Sequence, residues 1–208
     1  MKHSKEEEAS FDPTIPQNVA MWRQRERSRL IQLRRELSLA ARQVMDRAIS
    51  EKLDVLLDKI QTSVFSIYWP IRGEPDLLPL TATLISRGGI VALPIVLGKT
   101  QSLQFRTWAP GEKLERGVGN IPVPLQGMEV MPSVVIVPLV GFDQAFFRLG
   151  YGGGFFDRTL PLLSSNPLVI GVGYELGHLV TIYPQPHDIP MDIIVTPEKV
   201  YRRNIGEG

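Results

Sequence analysis

The chain has 208 residues, 43% of them hydrophobic and 22% charged, a balance that excludes disorder of the whole chain and leaves room for one domain of ordinary size. Lys plus Arg number 23 against 22 Asp plus Glu, so no global charge calls for a nucleic-acid or membrane partner, and the absence of cysteine excludes disulfides, thiolate metal sites and a Cys nucleophile. The longest apolar run, Val134 to Phe142, is interrupted by Pro138 and Gly141 and falls far short of the about 20 residues of a membrane helix. The polar start, with Glu6, Glu7 and Glu8, lacks the features of a secretory signal, so a soluble cytoplasmic protein is expected.

Residues 1–17 carry Pro13 and Pro16 and no hydrophobic periodicity, which predicts a flexible tail. From Asn18 the pattern is helical. Leu30, Leu33, Leu37, Ala41, Val44 and Ala48 recur at three- and four-residue intervals, and Ser38 is placed to cap a second helix, so two helices should meet near Leu37 and run on to about Ile60. Strands are expected at Val64–Trp69, Ile90–Leu93, Leu103–Trp108, Val134–Val140, Leu168–Tyr174, Leu179–Ile182 and Ile193–Thr196, with helices over Pro75–Arg87 and Phe155–Leu163. Residues 109–132, rich in Gly and Pro, read as one long connection. Helices alternating with continuous apolar strands predict an α/β fold, a layered sheet flanked by helices, as a single domain over 18–208.

The segment Arg148-Leu149-Gly150-Tyr151-Gly152-Gly153-Gly154-Phe155-Phe156-Asp157-Arg158 is the densest chemical feature. Strand, glycine-rich loop and helix in that order can turn successive N–H groups toward a phosphate, with Arg148 and Arg158 adding charge; the plainer reading is a surface loop. Gly98-Lys99-Thr100 resembles the end of a Walker A motif, but Leu93 occupies the place of its first glycine. Glu74, in Arg72-Gly73-Glu74-Pro75-Asp76 at a strand end, suits either an amine-bearing ligand or the N-terminus of the next helix. The arginines at 23, 25, 27, 29, 34, 35, 42 and 47 make the first helical stretch basic, fit for a polyphosphate or RNA, or for solvent. Asp188 and Asp192 are candidates to hold a hard cation with Asp157.

Taken in order, these motifs resemble the 5-formyltetrahydrofolate cyclo-ligase family, also called methenyltetrahydrofolate synthetases, over roughly residues 20 to 200. The resemblance rests on the Arg148–Asp157 segment, Val137–Asp143 before it, Gly73-Glu74, the stretch from Phe105 to Pro124, and His187–Asp192. It implies a fold similar to the NagB/RpiA/CoA-transferase class and an ATP- and Mg²⁺-dependent closure of 5-formyltetrahydrofolate to 5,10-methenyltetrahydrofolate, with ADP and phosphate released. By the same resemblance, Arg23, Arg27, Arg148, Leu149, Gly150, Tyr151, Gly152, Gly153, Gly154, Phe155 and Phe156 would bind nucleotide. Glu74, Tyr151, Phe155 and Phe156 would bind the folate, Arg148 and Asp157 would be catalytic, and Asp157 and Asp192 would hold Mg²⁺. Three positions depart from the family pattern: Gly153 and Arg23 stand where Lys is usual, and Phe156 where Tyr is common. A monomer without nucleic-acid or membrane partners is expected. The other readings are a sugar-phosphate isomerase of the same α/β class and an RNA-binding module using the arginine-rich helix.

Overall fold

Pro16 opens α1 (Pro16–Glu36), at the first helical position, where its missing N–H leaves no bond unmade. Leu37 turns extended and ends the helix. Ser38 then caps α2 (Leu39–Leu57), its hydroxyl accepting from the Ala41 N–H at 3.1 Å. The computed structural model, which describes residues 11–60 and 63–204, thus has two helices meeting near Leu37. Their buried faces differ from the expected stripe. Leu33 and Val44 are exposed, whereas α1 buries Val19, Leu30 and Arg34, and α2 buries Ile49, Leu53 and Leu57. The extended residue at 37 restarts the helical phase, so one stripe cannot run through both helices. Of the predicted tail, residues 1–10 lie outside the described residues, while Phe11 packs against Trp22 and Tyr183.

The chain then alternates: β1 (Val64–Ser66), α3 (Leu78–Ser86), β2 (Ile90–Val96), β3 (Leu103–Thr107), β4 (Leu114–Arg116), β5 (Pro122–Pro124), β6 (Val134–Pro138), β7 (Gly141–Asp143), β8 (Arg148–Leu149), α4 (Phe155–Thr159), β9 (Leu168–Val172), β10 (His178–Leu179), β11 (Ile193–Val195) and β12 (Val200–Arg202). The expected connection over 109–132 contains an antiparallel pair, β4 with β5. The helix foreseen over Phe155–Leu163 ends at Thr159 and passes into a 3₁₀ turn at Leu160–Leu162, because Pro161 has no N–H to continue it. Of the strand foreseen at Leu179–Ile182, only Leu179 is retained, in β10.

Seven strands form the central sheet in the order β12-β11-β9-β6-β1-β2-β3. The five inner strands are parallel, and β3 and β12 close the edges antiparallel. The unbroken apolar run of β6 is explained by burial on both faces. Val134 and Ile136 join Ile49, Leu53, Leu80 and Leu84 on the α2–α3 side; Val135 and Val137 join Leu160, Met191 and Ile194 on the other. From β1 the chain moves outward to β2 and β3, and from β6 it moves the other way to β9 and β11. The carboxyl ends of β1 and β6 therefore border a topological switch point, the place where open α/β sheets form a crevice. A small sheet, β10-β7-β8, leads from β6 to the glycine-rich loop. Buried Asp143 closes its β7–β8 turn, one carboxylate oxygen accepting from the N–H groups of Ala145 and Phe147 and the other from Ile182 N–H. Among the described residues, no helix is long and apolar enough to cross a membrane.

Candidate active site

The loop after β1 folds back on itself as a tight turn. Glu74 N–H donates to Ile71 O at 3.0 Å, and the Glu74 carboxylate accepts from Ile71 N–H at 2.8 Å. Arg72 and Gly73 between them are left-handed (φ 50° and 76°), and a Cβ at Gly73 would stand 3.1 Å from an Arg42 guanidinium nitrogen. This corrects the helix-capping alternative for Glu74. Leu77 precedes α3 without a side-chain cap, and it is Asp76 that accepts from Leu78 N–H. Glu74 is 5% exposed. Burial pushes its carboxyl up to about 7, against the opposing pull of the Ile71 N–H, Arg34, Tyr151 and Arg72, which favour the charged form.

Helix α1 crosses the switch point and sends three arginines inward. Arg34, 3% exposed, donates to Arg72 O after β1 and to Leu139 O after β6, each at 3.2 Å, and to the Tyr151 hydroxyl. Tyr151 also neighbours Glu74, and its hydroxyl favours the charged form of that carboxyl. Arg27 donates to Gly150 O at 2.5 Å, and Arg23 makes a bidentate pair with Asp188 at 2.8 and 3.1 Å. Burial, then the charge of Arg23, lower the Arg27 pKa against the opposing pull of Asp188. Arg25, Arg29, Arg35 and Arg47 remain exposed, so the solvated-face reading holds for these alone. Arg23, Arg27, Arg72, Tyr151 and Gly152 line a cleft of about 620 Å³.

Glycine-rich loop geometry explains its composition at two positions. Gly152 (φ 90°) and Gly154 (φ 62°) are left-handed; a Cβ on the first would lie 3.4 Å from the Arg27 guanidinium carbon, and on the second 2.9 Å from an Arg158 nitrogen. At Gly153 the Phe155 ring stands 2.7 Å from where a Cβ would be, so a side chain there would require that ring to move. Arg158 lies over the other residue of this contact, its guanidinium 5.1 Å from the Phe155 ring centre.

The sequence pattern of the 5-formyltetrahydrofolate cyclo-ligase family matches residues 19–197. The chain belongs to that family. It is 32% identical to the 5-formyltetrahydrofolate cyclo-ligase of Mycolicibacterium smegmatis, over 83% of this chain and 92% of that protein. It is 30% identical to the enzyme of the same name from Escherichia coli K12, over 82% and 97%. Its fold is similar to the solution structure of Aquifex aeolicus 5,10-methenyltetrahydrofolate synthetase, with a TM-score of 0.78, 29% identity, and coverage of 90% of this chain and 96% of that one. The isomerase and RNA-binding readings gain no support from these relatives.

Against the residues that the family resemblance implies, the structure brings Arg23, Arg27, Gly150, Tyr151, Gly152 and Glu74 together around the cleft and its Tyr151 wall. It gives the others different surroundings. Leu149 is fully buried with Leu30, Val140 and Ile182 and offers a ligand only its backbone. Arg148, also buried, pairs with Asp157 at 2.8 Å and donates to Ile189 O at 3.3 Å. Phe155 and Phe156 pack against Ala92, Leu103 and Phe105. The two carboxylates named for Mg²⁺ each have partners of their own. Asp157 is neutralised by Arg148 and accepts from Ile189 N–H, while Asp192 accepts from Val169 N–H and from Arg203, at the amino ends of β9 and β11. Asp188, the other cation candidate, is spent on Arg23 and Gln185 N–H. Among the described residues, no group of three or more His, Asp or Glu side chains is arranged to hold a metal ion. The residue that sequence reasoning passed over is Arg34. The available signal was its place four residues after Leu30, on the buried stripe.

Proposed function

We propose that this chain closes 5-formyltetrahydrofolate to 5,10-methenyltetrahydrofolate using ATP as co-substrate. The observation that carries the reading is the junction, through Tyr151, of a cationic cleft with a buried carboxylate, in a member of the cyclo-ligase family. Arg27 and the backbone N–H groups of Gly150–Gly152 offer positive potential for the ATP phosphates, and Arg23, which lines the same cleft, would share its guanidinium between Asp188 and phosphate. Glu74, held at the carboxyl end of β1, offers an acceptor to the N–H groups of the pterin. The γ-phosphoryl group passes to the formyl oxygen and ADP leaves. N10 then attacks the activated carbon, the C–O bond to phosphate breaks, the N10 proton leaves with the phosphate, and the methenyl bridge is formed. No protein nucleophile is required, which suits a chain without cysteine; the residues contribute positioning and charge stabilisation. Magnesium would arrive with the nucleotide and neutralise phosphate charge. Asp157 is the one carboxylate of the implied pair that adjoins the glycine-rich loop.

The test is formation of methenyltetrahydrofolate, followed by its absorbance, with each component omitted in turn. Product is expected only when 5-formyltetrahydrofolate, ATP and magnesium are present together, and equal turnover without nucleotide contradicts the reading. Replacing both Arg23 and Arg27 with Ala should weaken ATP far more than folate in the same assay.

A further inference from the structure

Arg34 is an unusual residue to bury. It is 3% exposed, and among the described residues no carboxylate lies within ion-pair distance of it. Its guanidinium ends on two backbone carbonyls and one hydroxyl. A methionine or leucine would pack α1 over the strand ends without desolvating a charge, so packing alone does not call for arginine here. The three acceptors belong to three different segments. Arg72 follows β1, Leu139 follows β6, and Tyr151 belongs to the glycine-rich loop. A single planar fork therefore bridges the two sides of the switch point and reaches the loop above it.

The bond order gives this contact a direction. Arg34 donates to the Tyr151 oxygen, which leaves the Tyr151 O–H free to donate, and the neighbouring Glu74 carboxylate is an acceptor for it. The Tyr151 ring also lies near two cations, 5.7 Å from the Arg34 guanidinium and 5.3 Å from that of Arg72, which limits its alternatives. We infer that Arg34 is a positioning residue of the ring closure, acting through Tyr151 to hold the glycine-rich loop in register with Glu74, so that the nucleotide side and the folate side of the cleft meet in one geometry. The inference rests on the cyclo-ligase reading and adds to it a residue outside both substrate contacts.

The charged and titratable groups facing Glu74 are Arg34 from α1, Arg72 from its own turn, Tyr151 from the glycine-rich loop, Tyr68 beyond β1, and Arg42 of α2 at Gly73. Removing one of the cations should make Glu74 harder to ionise. Arg34→Gln is expected to lower kcat by at least about tenfold, with the KM for ATP moving far less, because misplaced reactants lose rate rather than affinity. It should also shift the acidic limb of kcat/KM for folate to higher pH. Arg34→Lys keeps the charge but loses the fork, so it should leave that limb in place and still lower kcat. Tyr151→Phe should reproduce the loss of kcat, and combining it with Arg34→Lys should cost less than the two losses together, since both act through one hydroxyl. A folded Arg34→Gln with unchanged kcat and an unchanged limb overturns the inference, as does full additivity with Tyr151→Phe. If Arg34→Gln does not fold, Tyr151→Phe alone decides, because it retains both carbonyl bonds of Arg34; wild-type rate and pH profile would then refute the role. Wild-type protein in the same plate separates the two levels. No turnover there refutes the ring-closing reading itself.

Discussion

At the Glu74 carboxyl, burial and partners pull in opposite directions, and burial prevails. Its pKa rises from 4.5 to about 7 on folding. A carboxyl with a raised folded pKa binds more protons in the folded than in the unfolded chain between these values. Its contribution to stability is therefore complete below about 4.5 and is lost as pH rises through about 7. The full difference amounts to about 3 kcal/mol, at 1.36 kcal/mol per unit. Glu74→Gln removes the titration while keeping the acceptor for Ile71 N–H. Melting curves from pH 5 to 8 should show wild type losing stability that Glu74→Gln retains, with the variant the more stable at pH 8. Parallel curves would mean that Glu74 does not titrate in this window. Ring closure in Glu74→Gln should fall by at least about tenfold, equivalent to ~1.4 kcal/mol. A second contrast separates the aspartates. Asp157→Asn leaves buried Arg148 without its partner and should cost on the order of 3 kcal/mol in denaturant titrations. Asp192→Asn disturbs a partly exposed pair with Arg203 and should leave the magnesium dependence of turnover unchanged.

Elements differ in how far the sequence discloses them, and the reasons are local. β6 was legible because burial on both faces demands a continuous apolar run, and the α1–α2 junction because Ser38 is a strong cap. The β4–β5 pair was not, since three-residue strands with Pro122 and Pro124 show no alternation and draw their order from each other. The same holds at the site. The glycine cluster stood out as a loop able to turn its N–H groups to an anion, and Glu74 stood out at a strand end. Arg34 was not singled out among the eight arginines of the basic stretch, because its three acceptors come from residues 72, 139 and 151, remote in sequence. The partners of Asp157 and Asp192 were hidden for a related reason: Arg148, Ile189, Val169 and Arg203 reach them through tertiary contacts. The cap offers a control at this scale. Ser38→Ala should cost about 1 kcal/mol of stability while leaving both KM values unchanged, as measured by thermal melting beside steady-state kinetics. A change in KM would mean that the α1–α2 junction governs the cleft directly.

For the whole molecule, strand order decides where chemistry can occur. Reversal of direction between β1 and β6 opens one crevice, α1 lies over it, and the chain returns through the β7–β8 sheet to supply the glycine-rich loop. Positive charge from α1 and the acceptor from the β1 loop then face one another through Tyr151, and in the proposed reaction this arrangement would bring phosphoryl donor and formyl group into a single cleft. The consequence is tight coupling of the two half-reactions. The most direct test measures phosphate release and methenyltetrahydrofolate formation together in one reaction mixture. Equal amounts of the two products should accumulate at every time point, with neither formed when ATP or 5-formyltetrahydrofolate is left out. Phosphate released at an undiminished rate without folate, or ring closure without phosphate, would contradict it.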